Sequence, residues 1–292
     1  MSTVNVRTQT LANARELGHI NDLLGRSLGR LSSGNRLSGS SADPAAVGSV
    51  GKLDAQHKRT QAAAINVQNA ASFVQSSVGF IASMSGVLSR MSELTQYSQD
   101  GMKSAGDIAL YQAEFQGLQD QLRQTIGGTV AEIGGTADVS KPLGSFNDIA
   151  LYGSNPTGMS IASSSHAGDV IVVPETNLRD GAMLKLFQQD ASGNYTLSVT
   201  SSGAAQLISD AIADLGDERS VLSGVGSRLE YTASTLAVES QNIASAMSRI
   251  QDVDVATEST RLSKLNILLE SSTAMLSQAN QVPKSVLKLL EA

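Results

Sequence analysis

The chain contains no cysteine and no tryptophan, and its aromatics are five Tyr and five Phe among 292 residues. Without thiols there is no disulfide framework, no thiolate metal site, no iron–sulfur cluster and no cysteine nucleophile. Aromatics at 3% leave little to wall a ligand pocket. Charge is scarce too, at 16% Asp, Glu, Lys and Arg where an ordinary globular domain carries about 25%. The net charge of -6 comes without any Lys/Arg block, so the basic footprint of a nucleic-acid or anionic-membrane binder is missing. The longest aliphatic run is as short as Val170 to Val173, far below the ~20 apolar residues of a membrane span. The opening MSTVNVRTQTLANARELG lacks an apolar core and a small-residue cleavage site, so it is expected not to act as a secretory signal.

What remains is Ala, Ser, Gly, Gln and aliphatics, a filling that suits long helices packed side by side. In SADPAAVG, Ser41 or Asp43 can cap a helix and Pro44 suits its first position. From there Leu53, Val67, Val74, Ile81 and Leu88 recur at multiples of seven, with Ala63, Ala70, Met84 and Met91 alongside. That spacing predicts one amphipathic helix over roughly 44 to 99. A second, shorter helix carries Ile108, Phe115, Leu118, Leu122 and Ile126 and stops at Gly127-Gly128. Residues 127–203 then turn Gly-, Ser-, Thr- and Asn-rich with β-branched runs. Ser160-Ile161 with Val170 to Val173, and LKLFQQ with YTLSV around DASGN, predict one or two small hairpins. Past Gly203 the row Ile208, Leu215, Leu222, Leu229, Leu236, Ile243 and Ile250 is unbroken. Its companion row (Ala211, Glu218, Val225, Thr232, Glu239, Ala246, Val253) is mixed, which predicts a narrow seam in a bundle and not a two-stranded coil.

Both ends repeat the pattern: Leu17, Leu24 and Leu31 with Ile20 and Leu28 at the start, and Leu262, Leu269 and Leu276 with Leu265 at the finish. The two arms can pair, and a single helix pair has so little core that it should order only against neighbours. The expected fold is therefore mainly α: long amphipathic helices in an elongated bundle or coiled coil, paired terminal helices, and one or two small β-hairpins in the middle.

Candidate chemistry is sparse. His19, His57 and His166 are far apart and fit no ligand spacing, so they read as solvated surface groups. Ser49 to Lys52 matches S-x-x-K without its companion elements, and GGTVAEIGG lacks a following Lys-Ser/Thr. Asp252, Asp254 and Glu258 read as caps at a helix junction, since an EF-hand loop also demands a third oxygen ligand and a Gly at set positions. An enzyme site is not expected, nor a metal or cofactor.

Two distant segments then carry a family resemblance. RLSSGNRLSGSSADPA (30–45), with the long helix after it, and SRIQDVDVATEST with LSQANQVPKSVLKLL (248–260 and 276–290) resemble bacterial flagellin. SFNDIALYG (145–153) is similar to the segment that in this family reads FNG, with Asp148 in place of the glycine, and MSIASSSHAGDVIVV is similar to its following hairpin. The start VNVRTQTLANARE lacks the family's I-N-T-N.

The resemblance implies a subunit that self-assembles into the flagellar filament for swimming, exported to the cell exterior without a cleaved signal. It implies inner-tube arms at 1–42 and 254–292, core-bundle segments at 43–177 and 204–253, and a short hairpin or loop insert at 178–203, with no outer variable domain. Arm packing would fall to Leu17, Leu24, Leu31, Leu262, Leu265, Leu269 and Leu276; Leu269→Asp should leave the bundle folded and block growth. Val67, Val74, Ile81, Leu88 and the 208–250 row would form the bundle seam. Implied partners are further copies of the chain, an export chaperone, the filament cap and hook-associated proteins. A host Toll-like receptor would read Arg90, Leu94 and Glu114. The alternative is the hook–filament junction adaptor, which shares the terminal-helix design but does not polymerise on its own.

Overall fold

The computed structural model describes residues 2–38, 43–153, 157–166 and 168–290, with side chains from Leu11 to Ala279 and at Gln281 within those ranges. The elements run α1 (Ser2–Ser33), α2 (Pro44–Ser98), α3 (Ala105–Ile126), α4 (Val130–Ile133), β1 (Ser145–Phe146), β2 (Ile149–Ala150), β3 (Met159–Ala162), β4 (Val170–Val173), α5 (Gly181–Phe187), α6 (Ala204–Gln251) and α7 (Val255–Leu290). The chain divides into two compact units: an arm unit of Met1–Lys58 with Gln241–Ala292, and a central unit of Arg59–Ser240.

In the central unit α2 buries Leu94 and, in one row, Thr60, Ala63, Val67, Ala70, Val74, Ser77, Ile81, Met84, Leu88, Met91, Thr95 and Ser98. The positions of that row alternate three and four residues apart, the spacing of a coiled-coil seam. By length and mean hydropathy alone α2 could also cross a bilayer, but its apolar row lies in the protein core. The seam is shared. Thr60 donates to Glu239 on α6 at 3.4 Å, Tyr97 meets Tyr111 on α3 with ring centroids 5.9 Å apart, and Phe73 meets Phe146 edge-on at 6.0 Å. Several partners on one helix make a bundle, as the mixed companion row predicts; in that row Val225 and Ala211 are buried while Glu218 and Thr232 are half-buried.

α3 starts on a capping box, with the Ser104 hydroxyl accepting from the Asp107 amide and the Asp107 carboxylate accepting from the Ser104 amide. Asp43 caps α2, its carboxylate accepting from the Ala45 amide at 2.9 Å; Ser41 lies outside the described residues. Two antiparallel hairpins follow α4: β1 with β2, and β3 with β4 in the register Met159↔Val173. The β1–β2 turn places Asn147 at φ 51° and Asp148 at φ 61°. Positive φ at both central residues is the primed hairpin turn, and Asn and Asp are the non-glycine residues that tolerate it best.

The second expected hairpin is a correction. LKLF is helical, part of α5, with Met183, Leu186 and Phe187 buried, and only an isolated bridge joins Gln189 to Tyr195. In seven residues the helical spacing i, i+3, i+4 and a strand-like alternation are indistinguishable by eye, and burial against α3 decided for helix. Gln119 on α3 holds the end of α5, donating to the Leu186 carbonyl at 2.7 Å and the Leu197 carbonyl at 3.2 Å.

Gly134 ends α4 at φ 70°, and a Cβ there would collide with the Gln189 carbonyl oxygen, its parallel-bridge partner. Gly134→Ala is therefore expected to cost at least ~1–3 kcal/mol. Gly224, helical in α6 with open space around its Cβ position, should instead gain about 0.5–1 kcal/mol as Ala. Denaturant midpoints at equal m-values check both; equal shifts at the two sites would refute the close approach at Gly134.

Candidate assembly surface

The arm unit is a helix pair closed by one seam. Asn13, Leu17, Ile20, Leu24, Ser27 and Leu31 on α1 are buried or half-buried, and so are Glu258, Leu262, Leu265, Leu269, Ser272 and Leu276 on α7. Both rows alternate four and three residues apart, so each arm keeps one face toward the other over five turns or more. Ile20 and Leu265 are the most covered apolar members, at 3% and 6% exposure. Leu28 departs from the expected pattern: Ser27 takes the seam position and Leu28 is 48% exposed.

A second row lies uncovered. Leu11, Ala14, Gly18, Asn21, Gly25 and Leu28 on α1 are all exposed, share the same heptad alternation and carry no charge. On α7 the exposed Leu268, Ser271, Met275 and Gln278 do the same, beside an exposed Ile267. Exposed apolar and small residues in a helical stripe are what a further packed helix requires.

At the base of the arms the chain turns through 34–38 and 252–254. Arg36 donates from its amide to the Gln251 carbonyl at 2.7 Å and from its guanidinium to the Ile250 carbonyl at 3.2 and 2.7 Å, closing the end of α6. Asp254 caps α7, accepting from the Thr257 hydroxyl at 2.8 Å and from the Ala256 and Thr257 amides. Glu258, grouped with the caps in the sequence, does something else: it is buried and accepts from the Ser27 hydroxyl across the seam at 2.6 Å. Nothing in the spacing marks this pair, because Ser27 stands where a heptad reading expects an aliphatic.

The Thr257 hydroxyl, then the Thr257 and Ala256 amides, hold the Asp254 carboxyl below its ordinary value of 3.8. A depressed carboxyl stabilises the folded arm fully above 3.8, and that contribution disappears as pH falls through the lower folded-state value. Asp254→Asn keeps a cap but cannot titrate. The difference in arm stability between wild type and Asp254→Asn should shrink as pH drops below 3.8; thermal melts from pH 2 to 7 showing a constant difference would contradict this.

On the central unit Arg90 joins α2 to α3, donating to Glu114 at 2.7 Å and to Glu93 at 2.8 Å. The Arg90 hydrogen bond holds the Glu114 carboxyl below the usual range. Leu94 is fully buried, so it cannot share an exposed patch with them; it belongs to the apolar cluster of the central unit. His19 and His166 are exposed and His57 is half-buried, each on a different element or loop.

Paired heptad arms with an uncovered second row, together with a helical bundle and two hairpins, define a mainly α coiled-coil protein whose apolar surface is incompletely covered. Residues 4–130 match the family model of the bacterial flagellin N-terminal helical region, and residues 205–290 that of the C-terminal helical region. The chain belongs to the bacterial flagellin family. It is 28% identical to a flagellin of Bacillus subtilis (strain 168) over 98% of its length and 99% of the relative's. It is 29% identical to a flagellin of Listeria monocytogenes, covering 99% of each chain. It is also 29% identical to the flagellar filament 33 kDa core protein of Treponema phagedenis, covering 98% of this chain and 99% of the relative.

Proposed function

We propose that this protein is the structural subunit of a bacterial flagellar filament, a helical homopolymer outside the cell that serves swimming. The observation that carries the reading is the uncovered heptad row on α1 and α7, nearly free of charge, on arms too thin to bury it themselves. A head-to-tail contact that does not close on itself generates a filament, and each added copy covers the row of the last. Leu17, Leu24, Leu31, Leu262, Leu265, Leu269 and Leu276 close each arm pair, and the arms at 1–42 and 254–292 form the inner tube. The segments 43–177 and 204–253, with their α2 and α6 seams, form the surrounding layer, and 178–203 is a short insert in it. Export without a cleaved signal, an export chaperone, a cap and hook-associated proteins belong to the same reading. With Leu94 buried, a receptor patch would rest on Arg90 and Glu114 alone.

The test is electron microscopy of the purified full chain, dissociated by acid or heat and returned to neutral pH with a salting-out agent and short seeds. Long, thin, smooth-walled filaments support the proposal. A chain that stays monomeric or decorates only filament ends refutes it in favour of the junction adaptor.

A further inference from the structure

Within the arm unit, a cavity of about 470 Å³ opens where the end of α1, the 34–38 turn and the first turns of α7 meet. Three guanidinium groups border it, those of Arg30, Arg36 and Arg261, together with three carboxylates, Asp43, Asp254 and Glu258. The formal charges balance, but the hydrogen bonds do not. Asp254 spends both oxygens on the α7 cap, Glu258 accepts from Ser27, and Asp43 accepts from the Ala45 amide. Among the described residues, none of the three arginines forms an ion pair.

The donors are correspondingly unspent. Arg36 uses part of its fork on a neutral carbonyl, that of Ile250. Arg30 has its Nε buried with no hydrogen-bond partner, an uncommon state for a guanidinium nitrogen. Arg261 stands exposed on α7, facing the cavity from the other side of the seam. The carboxylates are each held by bonds within the fold and none pairs with the arginines, so the forked donors left over suit a ligand that is all acceptor. Planar forked donors match oxyanions two oxygens at a time.

We propose that this cavity is an oxyanion site, gripped by Arg30, Arg36 and Arg261, that ties the end of α1 to the start of α7. Two sources supply that chemistry: a free inorganic oxyanion such as phosphate or sulfate, or a carboxylate side chain presented by a second copy of the chain. The site does not depend on the filament reading in its first form, because a free anion binds the monomer.

The experiment uses the full chain as monomer, titrated calorimetrically with inorganic phosphate in a chloride buffer of constant ionic strength, followed by melts at saturating phosphate. Expected is saturable binding in the millimolar range and a raised arm melting temperature, both lost in Arg261→Gln, whose exposed side chain leaves folding intact by circular dichroism. Salting-out alone would stabilise wild type and Arg261→Gln alike, without saturation. If free phosphate and sulfate show no such binding, seeded assembly in chloride decides the second source: a tenfold or greater loss of elongation rate in Arg261→Gln, not recovered by Arg261→Lys, supports a neighbouring carboxylate. No anion binding together with unchanged elongation overturns the site.

Discussion

Leu265→Asp is expected to stop filament growth while leaving the central unit folded. Among the described residues Leu265 is the most covered aliphatic on α7, at 6% exposure, and it sits between Leu262 and Leu269 in the seam that closes the arm pair. Burying an unpaired carboxylate there costs several kcal/mol, and an isolated helix pair has no reserve to offset it. The central unit keeps its own core, because Leu88, Leu122, Ile208 and Leu215 bury their side chains without any contribution from α7. Seeded elongation should fall at least a hundredfold, and helical circular dichroism should retain the share that belongs to α2, α3 and most of α6. Ile267→Asp, two residues along but 66% exposed, separates the two rows. It should leave the monomer's arm pairing intact and still slow growth, because its charge falls on the uncovered surface. If both variants elongate like wild type, the arms take no part in assembly.

How far the sequence could be read depended on the length of each element. Over α2 and α6 the seven-residue rows repeat six or more times, so Val67, Val74, Ile81 and Leu88, and Ile208 through Leu236, could be named as one face each without coordinates; the structure buries all of them. Over α5 there are too few residues for a period to emerge, and LKLF passed for a strand. Long-range polar bonds leave no periodic trace at all. Arg123 is 6% exposed on α3, its guanidinium donating to the Ile133 and Gly134 carbonyls at 2.8 and 2.6 Å. In the sequence it is one more arginine in a helix. The buried Ser27–Glu258 bond is silent for the same reason, since each residue type is ordinarily found at the surface. Between Leu11 and Leu28 the uncovered row on α1 holds only Ala14, Gly18, Asn21 and Gly25, too small or too polar to stand out as an aliphatic repeat. The inner seam therefore shows in the sequence as aliphatics every seven residues, and the outer one does not.

Leu88→Ala should show the opposite pattern to Leu265→Asp. Leu88 is fully buried in the α2 seam, between Met84 and Met91, in the same apolar cluster as Phe115 and Leu122. Removing its isobutyl group leaves a hole among helices held apart by their other seam residues, so the site collapses only in part, and the loss should be about 2–5 kcal/mol. In a unit of this size each kcal/mol moves Tm by roughly 2–4 °C, so a fall of roughly 5–15 °C is expected by calorimetry. No surface atom changes, and the uncovered rows on α1 and α7 are untouched, so at 20 °C seeded elongation should match wild type. Filaments of the variant should nonetheless soften and disassemble at a lower temperature, since a subunit that unfolds centrally leaves the polymer. An unchanged Tm would refute the account of the α2 seam as the core of the central unit. Blocked assembly with a wild-type melt would show instead that the two units do not divide the work, folding in one and self-association in the other.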